Sequence, residues 1–139
     1  MKVGIVAIST IPSLDTNVLL RIILRDNAEL FNAARALLGQ HKSFAIADQA
    51  IVEIVFALGG HYEYARSEIA EVLIQLMNNQ HLVLNRALFD KVLPLYTRHS
   101  GVSFTDCCLS VYAKLNKQAP LYTFDKKMAR DLPHVELVQ

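Results

Sequence analysis

Four carboxylates are set apart by their surroundings: Asp15, Glu53, Asp106 and Asp125. Asp15 lies in Ser13-Leu14-Asp15-Thr16-Asn17-Val18-Leu19-Leu20-Arg21, where apolar residues give way to small polar ones and then to a helical apolar run. That pattern is a strand, a tight turn and a helix start. In open α/β sheets, ligands bind beyond the carboxyl ends of the strands, where such turns lie. Asp125 follows Tyr122-Thr123-Phe124 in the same way, and Glu53 and Asp106 lie at or near helix starts that can cover the same edge. Carboxylates gathered in one cleft repel one another and take up protons unless a cation neutralises them. Oxygen-only ligation suits magnesium or manganese. The chemistry of such a site is phosphoryl transfer: the metal activates a water and offsets charge on the attacked phosphate, often as a pair of ions about 3.5–4 Å apart.

Each acid taken singly also has a plainer reading. Asp15 or Asn17 serves as a helix N-cap, and Ser103 with Asp106 has the spacing of a capping box. Asp125 caps the short helix after it, and Glu53 points to solvent from an otherwise apolar helix. The recurrence of four acids in matching settings favours a site over four unrelated caps.

The elements that would position these acids follow from periodicity and punctuation. Residues 3–8 are apolar and read as a strand or a short leader. Helices are expected over 18–25 and 28–38, the second ending at Gly39. A strand over 43–47 leads to Asp48 as the cap of a helix over 49–58. Because Ile51-Val52-Glu53-Ile54-Val55-Phe56 is apolar nearly all round, that helix is expected to be largely buried, with Glu53 inside it. Ser67 is expected to cap a helix over 68–77, residues 81–84 to form a strand, and 86–99 a helix kinked at Pro94. A helix to about 116 opens at Ser103. Strands over 120–124 and 135–138 flank a short helix over 126–131. Alternating short strands and longer helices predict a parallel α/β sheet with helices on both faces.

The bulk properties bound the function further. At 139 residues and 53% hydrophobic composition, the chain has enough apolar mass for one globular domain over residues 1–139. No apolar run reaches the roughly 18 residues of a membrane span. The expectation is therefore a protein without membrane attachment, in the cytoplasm. Cys107 and Cys108 are adjacent, cannot staple distant segments and lack zinc-site spacing. They read as reduced thiols. The five histidines show no ligand-like spacing, and a formal net charge of +1 is compatible with an anionic substrate without arguing for one.

The motifs also resemble a known family. Ser13 to Arg21, Glu53 within its apolar helix, Ser103-Phe104-Thr105-Asp106 and Tyr122-Thr123-Phe124-Asp125-Lys126-Lys127 look like the four signatures of PIN-domain ribonucleases, most closely the VapC-type toxins of prokaryotic toxin–antitoxin pairs. The resemblance implies a five-stranded parallel sheet in a three-layer α/β/α domain. It also implies magnesium-dependent endoribonuclease activity, with manganese as a substitute, and a homodimer whose site a cognate antitoxin blocks. By position, Asp15, Glu53, Asp106 and Asp125 match the family's acidic quartet, and Thr16, Asn17 and Thr123 its supporting polar residues. The family usually begins a few residues before its first acid. Residues 1–12 therefore read as an N-terminal extension, with Pro12 where the first strand starts.

On this reading Asp15, Glu53 and Asp106 hold the principal magnesium, while Asp125 acts through water or helps a second ion. Thr16, Asn17 and Thr123 orient the carboxylates, and Arg21, Arg25, Lys126 and Lys127 contact RNA phosphates. Tyr62, Tyr64, Tyr96 and Tyr112 are candidates for base stacking, with core packing the better expectation for each. Three alternatives stay open: a catalytically silent PIN-like interaction module, a PIN nuclease of RNA processing without an antitoxin, and a phosphohydrolase using an aspartyl nucleophile. The last normally has a second Asp two residues after the first, and here that position is Asn17.

Overall fold

The computed structural model describes residues 10–139; the apolar stretch at residues 3–8 lies outside them. Among the described residues seven helices and four short strands follow in the order α1 (Thr16–Leu24), α2 (Ala28–Leu38), β1 (Phe44–Ala45), α3 (Asp48–Gly59), α4 (Arg66–Asn78), β2 (Leu82–Val83), α5 (Arg86–Arg98), α6 (Phe104–Leu115), β3 (Leu121–Thr123), α7 (Lys126–Asp131) and β4 (Val135–Leu137).

All strand pairing among the described residues is parallel, as the alternation of elements predicts. Among the described residues the five-stranded sheet is not formed as one continuous ladder. β1 pairs with β2, Phe44 opposite Leu82, and β3 pairs with β4, Leu121 opposite Val135. Ser13 makes a single parallel bridge to Ala45 on the free side of β1. Its bonds are Ala45 N–H to the Pro12 carbonyl at 2.8 Å and Leu14 N–H to the Ala45 carbonyl at 3.0 Å. The strand positions are thus those expected, but each strand is shortened to two or three residues. Strands that short carry few ladder bonds, so the fold rests mainly on its helices.

The helices bury one stripe each against a shared core. On α3, Ile51, Ile54, Val55 and Leu58 are buried at the i, i+3, i+4, i+7 spacing of one helical face. The opposite face is open: Glu53 is exposed and Phe56 is 83% exposed. The expectation of a largely buried α3 is therefore corrected. A high apolar count made the helix look buried all round, but only one face meets neighbours. Ile51 and Ile54 join Leu19, Phe44, Leu73, Phe89, Val92, Phe104 and Cys107 in a single core cluster.

Several helix starts differ from expectation. Ala47 rather than Asp48 is the N-cap of α3, and Asp48 lies in its first turn, where its carboxylate accepts from Asn85 Nδ2 at 3.1 Å. α4 begins at Arg66 after Ala65, not after Ser67, and the Glu68 carboxylate accepts the Ala65 N–H at 2.9 Å. Acids near a helix N-terminus satisfy free N–H groups and the positive end of the dipole from several positions, so the cap residue itself is hard to read in advance.

Two polar clamps fix the helices that carry the site. Arg66 Nη2 donates to the carbonyls of Tyr96 at 2.6 Å, His99 at 3.1 Å and Val102 at 3.0 Å, tying the start of α4 to the end of α5. Its guanidinium lies 3.9 Å from the centroid of the Tyr96 ring. Tyr96 is a core residue, edge-on to Phe104, and is excluded as a base-stacking surface. Ser110 on α6 is fully buried and donates its hydroxyl to the Pro133 carbonyl at 2.6 Å, anchoring α6 to the turn before β4.

Candidate active site

The site begins where the chain leaves the Ser13 bridge. Asp15 caps α1, its Oδ1 accepting the Val18 N–H at 2.9 Å. The next residue, Thr16, is turned toward α3 and donates its hydroxyl to Glu53 Oε2 at 2.6 Å. The first acid motif is thereby joined to the second across 37 positions of sequence.

Asp106 occupies the first turn of α6, whose cap is Ser103: the Asp106 N–H donates to Ser103 Oγ at 3.0 Å. The capping box expected here is half made. Among the described residues the hydroxyl serves as the cap, and the Asp106 carboxylate accepts no hydrogen bond. Asp125 caps α7 through Oδ1, which accepts the Met128 N–H at 3.1 Å, and its own N–H donates to Thr123 Oγ1 at 3.0 Å. Thr123 therefore shapes the turn that presents Asp125. Asn17 is exposed on the first turn of α1.

Asp15, Glu53 and Asp125 are exposed and Asp106 is half-buried. Among the described residues the ion pairs are Arg21–Asp26 and Arg130–Asp131, so none of the four site acids has a cationic partner. Asp15 and Asp125 each spend one oxygen on a cap and keep the other free of hydrogen bonds. The donor chemistry fits a hard divalent ion: oxygen ligands only, with lone pairs to spare. Their spacing does not form a closed cage. Among the described residues no three His, Cys, Asp or Glu side chains gather into a group that could hold a metal. The elements that carry the four acids are linked in steps. Thr16 bonds to Glu53, α3 packs on α6, and α6 packs on β3, which leads to Asp125.

The cations sort differently from expectation. Arg21 is engaged: Nη1 pairs with Asp26 at 2.8 Å and Nη2 donates to the Tyr62 hydroxyl at 3.1 Å. The Tyr62 bond is the main cause of a guanidinium pKa raised above its ordinary value, with Asp26 adding to it. Arg25 lies over the Phe31 ring at 5.1 Å. Arg21 is therefore already committed to protein partners, whereas Arg25 forms no ion pair among the described residues. Lys126 and Lys127 are exposed beside Asp125 and form no ion pair among the described residues.

The PIN domain family matches the chain over residues 13–131, a span that opens two residues before Asp15 and closes beyond Asp125. The chain belongs to the PIN domain family. PIN domains are generally metal-dependent nucleases, usually using divalent ions such as magnesium. No curated protein matches the chain. The PIN match encloses all four acids together with Thr16, Asn17 and Thr123. Pattern reading missed the Arg21–Tyr62 bond, which joins residues 41 apart and has no local signature. It also passed over two exposed rings beside Asp125, Tyr122 at 62% and Phe124 at 82% exposure. Among the described residues no helix is long and apolar enough to cross a membrane.

Proposed function

We propose that the protein is a magnesium-dependent endoribonuclease, a VapC-type toxin held in check by a cognate antitoxin. The observation that carries this reading is the uncompensated acid set. Among the described residues four carboxylates within the PIN match have no cationic partner, and one of them is oriented by a hydroxyl from the neighbouring motif.

Asp15, Glu53 and Asp106 would hold the principal ion, with Asp125 acting through water or on a second ion. Such an ion, when bound, supplies an activated water and neutralises charge on the phosphodiester. The Thr16 hydroxyl restricts Glu53 to one orientation, so less freedom is lost when its free oxygen takes up a ligand. Thr123 does the same for the Asp125 turn through the backbone. Lys126 and Lys127 supply sequence-independent attraction for phosphates. The antitoxin inserts an Arg- or Lys-bearing segment among the acids, because guanidinium binds carboxylates bidentately. The active form is a cytoplasmic homodimer.

The test is cleavage of RNA by purified protein in magnesium, manganese or EDTA, beside Asp15→Asn. Cleavage should need the metal and fall by orders of magnitude in the variant. Equal cleavage in EDTA would sink the metal mechanism. Co-expression with the neighbouring reading frame tests the toxin reading: growth arrest by the chain alone, relieved by the neighbour, is expected.

A further inference from the structure

We propose that Tyr122 and Phe124 form a stacking platform for the bases of single-stranded RNA, placed directly before the acid Asp125. The inference rests on the nuclease reading above and adds the surface that seats the strand. Large aromatic side chains are normally buried for their apolar area. Here two of them, two residues apart at the end of β3 and its exit, are 62% and 82% exposed. Within β3 the side chains alternate: Leu121 and Thr123 are half-buried and Tyr122 points outward. Phe124 follows in the bend just past the strand and is likewise exposed. Neither ring is used in an aromatic or cation–π contact among the described residues.

The neighbours select the occupant. Lys126 and Lys127 follow at once, both exposed and outside any ion pair among the described residues. Exposed rings flanked by free cations are the pattern of single-strand binding, in which bases stack on rings and the charges track the phosphates. A purely apolar partner would leave those cations desolvated. Phe124 is joined to Asp125 by one peptide bond, about 3.8 Å between Cα atoms. A base on that ring thus brings its phosphate to the acid site, while Tyr122 takes the next base along.

The experiment is fluorescence anisotropy of a short labelled single-stranded RNA, with the metal removed by EDTA so that nothing is cut. Wild type, Phe124→Ala, Phe124→Leu, Phe124→Trp and Tyr122→Ala are compared, with thermal melting as the folding control. Losing one stacked base should weaken binding about tenfold. Phe124→Ala and Phe124→Leu should both show that loss, because leucine keeps apolar area without a π face, and Phe124→Trp should restore wild-type binding. Wild-type affinity in Phe124→Ala, or full rescue by leucine, overturns the platform. So does a Phe124→Ala protein that changes oligomeric state in sedimentation while binding RNA normally, since the rings would then be a protein interface. Magnesium-dependent cleavage of the same RNA is scored separately. Cleavage unchanged in Phe124→Ala rejects the platform and leaves the nuclease reading standing. Ring-dependent binding without cleavage rejects the nuclease reading and leaves the platform.

Discussion

Thr16 Oγ1 and Glu53 Oε2 stand 2.6 Å apart, joining the turn after the Ser13 bridge to the exposed face of α3. This bond does for the site what sequence spacing cannot. It gives an exposed, flexible carboxylate a fixed direction beside Asp15.

Thr16→Val should therefore affect function more than stability. The bond is between exposed groups and contributes about 0.5–1 kcal/mol at most to folding. Freed, Glu53 loses its orientation, and cleavage should fall about tenfold, the lower end of what outer-shell partners contribute at metal sites. Thr16→Ser should retain activity. Magnesium titration by calorimetry provides the check: equal affinity in wild type and Thr16→Val would show that the hydroxyl orients nothing of consequence.

Ser103 and Asp106 separate capping from metal binding within one helical turn. Because Ser103 Oγ accepts the N–H of Asp106, Ser103→Ala should cost about 1 kcal/mol, with or without magnesium. Asp106→Asn, in EDTA, should lie within about 0.5 kcal/mol of wild type, losing only a favourable helix-dipole term. Excess magnesium should then raise the melting temperature of wild type and of Ser103→Ala but not of Asp106→Asn, because only an intact site gains stability by binding the ion. Equal shifts in all three proteins would remove Asp106 from the metal set.

Arg66 makes the opposite case, a functional-looking charge with a structural task. Arg66→Met keeps the stem but leaves the carbonyls of Tyr96, His99 and Val102 without their shared donor. Destabilisation of about 2–3 kcal/mol is expected, read by urea denaturation, with RNA affinity of the folded protein unchanged. Arg66→Lys should recover only part of the loss, since an ammonium cannot reproduce the planar fork over Tyr96.

The two thiols should be unreactive in the native state. Burial pushes Cys107 up to about 11 and Cys108 up to about 12, so both are protonated at neutral pH, and only the thiolate reacts. Native alkylation at pH 7.5 should leave both unmodified, and alkylation in denaturant should modify both, as followed by mass spectrometry. The linked stability effect has a definite sign. The folded thiols hold their protons more tightly than the unfolded ones, so their contribution is complete below the unfolded value of 9.0 and is lost as pH rises toward about 11. Thermal stability should fall between pH 9 and 11, and Cys108→Ala should flatten that fall.

The sequence by itself determined the order of elements and the parallel sense of the strands, and it singled out the four acids. Each of these is written in local chemistry: apolar periodicity, capping residues and a small polar cluster after an apolar stretch. It marked Ser103 as a cap and set the bounds of α7 at Lys126–Asp131. Only the tertiary structure decided which face of α3 meets the core, because an apolar residue count does not say how many sides have neighbours. Packing of α1 on α3 then brought Thr16 to Glu53. It also decided that Arg21 is bound by Asp26 and Tyr62 while Lys126 and Lys127 form no ion pair among the described residues. A cation's partners depend on what long-range packing sets beside it, and residues 41 positions apart leave no periodic trace of their meeting. The two rings before Asp125 belong to the same class: their residue type is apolar, and only the packing around β3 leaves them exposed.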